Sequence, residues 1–174
     1  MNESRICELK LHIPTVEELW FYQSMLSDPA TMSYNAKWFP PDGCIPFPKE
    51  KWEEWHGDWI GNAPQRFYAY VERISDGAFV GGVNYQYNKE ADAWEIGVLI
   101  TASERGGGYG KKALELLVKR AFETDGAARL VNFFEPERRA ALRMHLECGF
   151  TETSSEDGLV HLLLTREEYF GNRS

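Results

Sequence analysis

The chain has 174 residues, a length that suits one domain and is long enough to bury a sizeable core. Apolar residues make up 43% and charged residues 26%, the profile of an ordinary soluble globule, and the formal net charge is -8. That charge argues against nucleic acid as the main partner, because phosphate backbones are bound by clustered Lys and Arg, and no apolar run approaches the ~20 residues of a membrane span.

Taken in chain order, residues 6–11 read as a first strand. Pro14 precedes Thr15, Val16, Glu17 and Glu18, a capping-box pattern in which Thr15 caps and Glu18 reaches back. Val16, Leu19, Trp20 and Leu26 then recur at near-helical spacing, which predicts a helix over 16–27 ended by Asp28 and Pro29. Residues 33–48 carry Pro40, Pro41, Pro46 and Pro48 and cannot form a regular helix or central strand. Their Tyr34, Trp38, Phe39, Ile45 and Phe47 are not the composition of disorder, so an ordered covering loop is expected. A helix over 49–59 should follow.

From Arg66 the period changes to two. Strands are expected over 66–73, 78–87 and 93–100, joined by the turn signal Ser75, Asp76 and Gly77 and by a second turn at 88–92. These hairpins imply an antiparallel first half of the sheet. Leu114, Leu117, Val118 and Ala121 mark one face of a helix over 109–124. A strand over 129–134, a helix over 138–148 stopped by Gly149, and strands over 151–154 and 159–164 complete the pattern. The unit from 93 to 134 is long enough for a parallel crossover. The expectation is a single α/β domain over 1–174: a mixed sheet of six or seven strands with flanking helices.

Between the strand at 93–100 and the helix at 109 lie Arg105, Gly106, Gly107, Gly108, Tyr109 and Gly110. Glycines allow positive φ and close approach to a ligand, and a helix start offers unpaired N–H groups to an anion. A phosphate-binding Walker loop would need Gly at position 105 and Ser or Thr at 112, where Arg105 and Lys112 stand. A dinucleotide fingerprint from Gly106 would need Gly at 111, where Lys111 stands, within a parallel unit rather than hairpins. Arg105, Lys111, Lys112, Lys119 and Arg120 outnumber Glu104 and Glu115 here, a local cationic patch in an acidic protein. Lys119 and Arg120 also suit a helix end as dipole partners.

The pattern Arg105, Gly108, Gly110 resembles the Gln/Arg-x-x-Gly-x-Gly/Ala motif of the GNAT acetyltransferase superfamily. The resemblance spans roughly 66–154. Gly81, Gly82 and Val83 are similar to that family's third strand, and Glu95, Ile96, Gly97, Val98, Leu99 and Ile100 to its fourth. Glu147, Cys148, Gly149 and Phe150 are similar to its helix that closes on Gly-Phe. The resemblance implies acetyl-CoA as cosubstrate. Backbone groups of Val98, Leu99 and Ile100 would pair with the pantetheine arm. Those across Arg105, Gly106, Gly107, Gly108, Tyr109, Gly110 and Lys111 would hold the pyrophosphate. It implies direct acetyl transfer to a primary amine, the oxyanion being stabilised near Leu99.

Two positions depart from the family. Where it commonly has a Tyr acting as acid toward the departing thiolate, this chain has His145. Where it often has an Asn meeting the cofactor, the chain has Arg138. His145 is either a replacement acid or a core histidine. Arg138 is either a CoA phosphate ligand or a solvated charge. Glu95, at the place of a base in several members, is either that base, directly or through water, or a rim carboxylate. No His or Cys spacing suggests a metal.

Tyr34, Trp38 and Phe39 fall in the part of the chain that lines the acceptor pocket in this superfamily. Trp52, Trp55 and Trp59 offer further walls, and Glu50, Glu53, Glu54 and Asp58 could attract a cation; the alternative is a surface helix with a charged outer face. The expected partner is a small-molecule amine. A protein N-terminus, or acyl-CoA binding without catalysis, are the competing readings. Cys7, Cys44 and Cys148 form no CxxC pair, and residues 1–5 show no apolar leader, which together lead to the expectation of a cytoplasmic protein with reduced thiols. A homodimer is expected by family analogy alone.

Overall fold

The computed structural model describes residues 8–154 and 157–172. Seven strands form one sheet: β1 (Leu9–His12), β2 (Arg66–Arg73), β3 (Phe79–Asn88), β4 (Ala93–Ile100), β5 (Arg129–Phe134), β6 (Thr151–Thr153) and β7 (Val160–Thr165). Their order across the sheet is β1-β2-β3-β4-β5-β7-β6. All neighbours are antiparallel except β4 and β5. The alternating residues of β2, β3 and β4 give the antiparallel first half expected from the hairpin signals, and the long connection to β5 gives the parallel pair. The expected strand start at residues 6 and 7 lies outside the described residues.

Helices cover both faces. α1 (Leu19–Leu26), α2 (Pro29–Met32) and α3 (Trp52–Trp59) lie in the N-terminal third; α4 (Tyr109–Lys119), α5 (Arg139–Glu147) and α6 (Arg166–Gly171) follow the later strands. α1 begins later than expected. The Glu18 carboxylate accepts from the Thr15 N–H (2.9 Å) as a capping box would have it. However, the Glu18 N–H bonds the Thr15 carbonyl, so 15–18 form a turn ahead of the helix. The same carboxylate meets His12 Nε2 at 2.7 Å and ties that turn to β1. Asp28 then caps α2 through the Ala30 and Thr31 N–H groups. α6 was not anticipated, although Thr165 and Glu168 form a full capping box.

The main core lies between the sheet and α4, α5 and α6. Leu114, Leu117, Val118 and Ala121, the stripe read from the sequence, are all buried there. A second, aromatic cluster on the opposite face joins Phe21, Met25, Tyr68 and Tyr70, with Tyr22, Trp55, Trp59 and Leu99 packed against it. Residues 33–48 have no strand or α-helix, only a short 3-10 turn at Ser33–Asn35, as the prolines dictate.

β3 and β4 approach so closely at Gly81 that a Cβ there would lie 2.2 Å from the Leu99 carbonyl oxygen. Overpacking of this kind typically costs about 1–3 kcal/mol. Gly81→Ala should therefore lower the urea midpoint by that equivalent; an unchanged midpoint would show that the two strands can move apart freely.

Candidate active site

β4 and β5 pair only at Trp94 with Leu130 and Glu95 with Val131. Beyond these pairs the strands part, and the gap leaves one side of β4 without a ladder. The alternation of an antiparallel strand decides which groups face it. The Thr101 N–H donates to the Val80 carbonyl, so Thr101, Leu99 and Gly97 direct their backbone groups to β3. Val98 and Ile100 direct theirs to the gap. Leu99 was expected to bind with its backbone, but that backbone is engaged by β3.

β4 leads through a 3-10 turn, Ala102–Glu104, into the glycine-rich turn. Gly106 (φ 86°) and Gly108 (φ 79°) occupy the left-handed region, and Gly108 is the residue before α4. A Cβ at either would meet nothing within 4 Å, so backbone conformation, not crowding, calls for glycine there. The N–H groups of residues 106–111 make no hydrogen bond among the described residues, and the turn is exposed. This is an open row of donors at a helix start, which fits a pyrophosphate. Gly110 has a different reason: its Cβ would lie 3.1 Å from Met144 Sδ, where α4 packs on α5.

The side chains of the turn are otherwise engaged. Arg105 donates to three carbonyls, Ile100 (3.2 Å), Ala30 (3.2 Å) and Thr31 (2.7 Å). It is a clasp between α2 and the end of β4 rather than a ligand for phosphate. The buried Thr31 hydroxyl adds to that clasp by accepting the Ala102 N–H at 2.9 Å. The Tyr109 hydroxyl accepts from Arg73 (3.2 Å), and Lys111 pairs with Glu147 (3.2 Å). Arg120 pairs with Asp125 at the far end of the helix region. Of the cationic patch read from the sequence, Lys111 and Arg120 are thus ion-paired and Arg105 is hydrogen-bonded to carbonyls, while the free N–H groups offer an anion-binding row of their own.

A cavity of about 330 Å³ opens where β4 and β5 diverge. Gly97, Val98 and Leu99 form its floor with Gly82 and Asn84, and Asn132 of β5 lines the gap. Its aromatic walls are Tyr22, Trp55, Trp59 and Tyr68, with Tyr34 and Phe39 from the 33–48 loop and Arg138 from the turn before α5. Tyr22 stacks on Trp55 at 4.5 Å and Trp55 on Trp59 at 5.9 Å. Burial pushes the Tyr22 phenol up to about 12 and the Tyr68 phenol well above its ordinary value. Desolvation also raises the Tyr34 phenol, against the pull of Arg138 and Arg105. These phenols are protonated at neutral pH.

The remaining sequence candidates are not brought to this cavity. Trp38 is 62% exposed and donates to Glu135 in an adjoining recess. Trp52 is buried apart from the cavity. Glu50, Glu53, Glu54 and Asp58 are exposed, and no Asp or Glu among the described residues lines the cavity. Glu95 is half-buried at the start of the gap and accepts from Asn88 at 3.2 Å.

His145 is 2% exposed, between Phe134 and Phe150. Its Nδ1 meets the Ala141 carbonyl at 2.8 Å, which makes Nδ1 the protonated nitrogen. Nε2 then accepts from the Asn132 amide at 3.0 Å. The Asn132 side-chain oxygen in turn accepts the Phe133 N–H. His145 therefore sits behind Asn132 and holds it, one side chain away from the cavity.

Asn132, Asn84, Tyr22 and Tyr68 were missed by sequence reasoning. Asn132 left a signal, as the polar residue inside the apolar strand Arg129–Phe134. The tyrosines left none, because aromatic residues in strands and helices read as core.

A mixed sheet that splits between parallel fourth and fifth strands, with a glycine-rich turn opening the helix between them, defines an acetyltransferase of the GNAT type. A family model described as an acetyltransferase (GNAT) domain matches residues 9–151, and the chain belongs to that family. It is an N-acetyltransferase by class. Among solved structures, it is similar to the spermidine N-acetyltransferase from Vibrio cholerae in complex with CoA and spermine. Identity is 18%, coverage 93% of this chain and 98% of that one, and the TM-score 0.76. The spermidine/spermine N-acetyltransferase from the same organism, in complex with manganese ions, matches with 17% identity over 97% and 99% of the chains and a TM-score of 0.74. At these identities the likeness is one of fold. No curated protein sequence matches the chain. Among the described residues, no cluster of three or more potential metal ligands occurs, and no helix is long and apolar enough to cross a membrane.

Burial lowers the His145 pKa below 6.5, so this group stays neutral in the folded state. The unfolded chain then binds the extra proton, and stability present above the unfolded pKa is lost as pH falls. Between about pH 7.5 and about pH 5.5, the melting temperature of the wild type should fall more than that of His145→Leu or His145→Gln. Equal falls in all three proteins would mean that His145 does not titrate differently on folding.

Proposed function

We propose that the protein transfers an acetyl group from acetyl-CoA directly to the primary amine of a small molecule bound in the 330 Å³ cavity. The observation that carries this reading is the continuity of one strand. β4 turns the backbone groups of Val98 and the N–H of Ile100 to the gap, the Ile100 carbonyl being held by Arg105; it floors the cavity and runs into the row of free N–H groups at 106–111. Pantetheine would pair with the first set and pyrophosphate would sit on the second. The carbonyl oxygen would face the Val98 N–H as it gains charge.

A small acceptor is favoured over a protein N-terminus by the 33–48 loop. Trp38 bonds Glu135, and Tyr34 stacks under Arg138 at 4.8 Å, so the loop closes over the cavity from above α5. An extended peptide needs an open groove instead.

The amine must attack as a free base. A cavity with a guanidinium and no carboxylate disfavours an ammonium ion, so bound amine would release its proton to water more readily. Glu95, on the same face of β4 as Gly97, would act only through such water. The amine nitrogen then bonds the acetyl carbon, the carbon–sulfur bond breaks, and the thiolate takes a proton to leave as CoA thiol. The hydroxyls of Tyr34 and Tyr68 make no hydrogen bond within the protein among the described residues and both residues line the cavity, so either is better placed for that last transfer than the enclosed His145, although desolvation makes each a weaker acid than a free phenol. His145 would act as a positioning residue through Asn132.

The test is release of CoA thiol from acetyl-CoA over a panel of small amines, with Gly108→Val as control. The variant places a branched side chain at a positive φ, which strains the turn and covers the donors. It should lose acetyl-CoA binding in calorimetry by at least tenfold, about 1.4 kcal/mol. Wild-type affinity in Gly108→Val would remove the turn from cofactor binding, and binding without thiol release on any amine would make the protein an acyl-CoA sensor.

A further inference from the structure

The neighbours of similar fold include polyamine acetyltransferases, yet the cavity here has the wrong charge for a polycation. Its one charged lining group among the described residues is Arg138. The guanidinium lies over the Tyr34 ring (4.8 Å) and the Phe134 ring (5.1 Å). Such stacking fixes its plane while leaving its edge donors available. Among the described residues it forms no ion pair and no side-chain hydrogen bond. Glu135, which lines the recess on the other side of Arg138, is engaged by the Trp38 indole N–H. Arg105, the other cation felt by Tyr34, is consumed by three carbonyls. Arg138 also stands at the start of α5, where the helix dipole adds to its charge instead of offsetting it.

The rest of the wall is aromatic and apolar: Tyr22, Trp55, Trp59 and Phe39, with Leu26 and Ile45. Neutral polar groups are supplied by Asn84 and Asn132. A ligand that matches this lining has an aromatic body, an anionic group and an amine. We propose that the acceptor is a carboxylate-bearing aromatic amine of amino-acid type, with Arg138 holding its carboxylate and the Tyr22, Trp55 and Trp59 cluster holding its ring. This rests on the transfer reading above and reassigns Arg138 from the cofactor to the acceptor. A fork of guanidinium donors meets a carboxylate in two parallel hydrogen bonds, which fixes the amine as well as binding it. The same pair excludes polyamines, whose extra ammonium groups would meet an unpaired cation in a confined space.

The experiment compares phenylalanine, phenylalaninamide, phenethylamine and spermidine as acceptors by thiol release, in the wild type, Arg138→Ala and Arg138→Glu. The expected wild-type order places phenylalanine ahead of its amide and of phenethylamine by about 10- to 100-fold in kcat/KM, the range of one charge-assisted pair. Arg138→Ala should erase that preference while its acetyl-CoA affinity in calorimetry stays within a few fold. Arg138→Glu should invert it toward spermidine. A wild type that prefers spermidine or phenethylamine would overturn the proposal. So would an Arg138→Ala variant that keeps the preference but loses acetyl-CoA, since the arginine would then serve the cofactor. If no amine releases thiol, the transfer reading fails separately. Thermal shift with N-acetylphenylalanine then decides the subsite: stabilisation of the wild type but not of Arg138→Ala supports it, and no Arg138-dependent shift overturns it.

Discussion

Two residue pairs join β4 to β5, and the gap that floors the cavity follows from their stopping there. A parallel pair that continued in register to Val98 and Phe134 would satisfy the Val98 backbone groups and close the gap. By parting after Glu95 and Val131, the strands leave polar backbone exposed in a place where water or a ligand must satisfy it. The cost is tolerable because both strands have good partners on their other sides, β3 for β4 and β7 for β5. Large buried groups, Leu130, Phe134, Ile96 and Ile100 among them, anchor the two strands to the same core while their edges separate.

The Arg105 clasp links this gap to the acceptor side. Its three carbonyl partners lie on α2 and at the end of β4, and α2 leads straight into the 33–48 loop that covers the cavity. The residue that fits the family's motif thus does its work through packing geometry: it sets where the glycine turn begins and where the covering loop starts. The two halves of the proposed site, donors at 106–111 and the aromatic cavity, are linked by the Arg105 guanidinium together with the Thr31 hydroxyl.

Much of this was legible in the sequence where the cause was local. Strand alternation gave β2 and β4, and an apolar run gave β5, to the residue, and glycines at positive φ marked the turn because no other residue fits there cheaply. Legibility failed where direction mattered. Whether Leu99 or Val98 offers its N–H depends on the register with β3, where a close approach at Gly81 is something spacing alone does not reveal. His145 falls where the family commonly has a Tyr, but Phe134 and Phe150 enclose it and Asn132 stands between it and the gap. The acidic residues of 50–58 looked like a cation trap by proximity to tryptophans. On the helix, Trp55 and Trp59 turn inward and the carboxylates outward, which is ordinary amphipathic behaviour.

Charge makes the same point at larger scale. A net charge of -8 describes the protein as a whole, and several of its carboxylates, Glu104, Glu147 and Asp125 among them, are paired with Arg or Lys away from the cavity. The cavity inverts that sign with one arginine between two rings. In a space this small a single uncompensated charge outweighs the distant surface, because screening and solvent reduce the far charges while the near one acts through a poorly hydrated wall of aromatic side chains. The proposed selection against polyamines therefore rests on one residue, Arg138, which stands where the resemblance to the family would place a neutral asparagine.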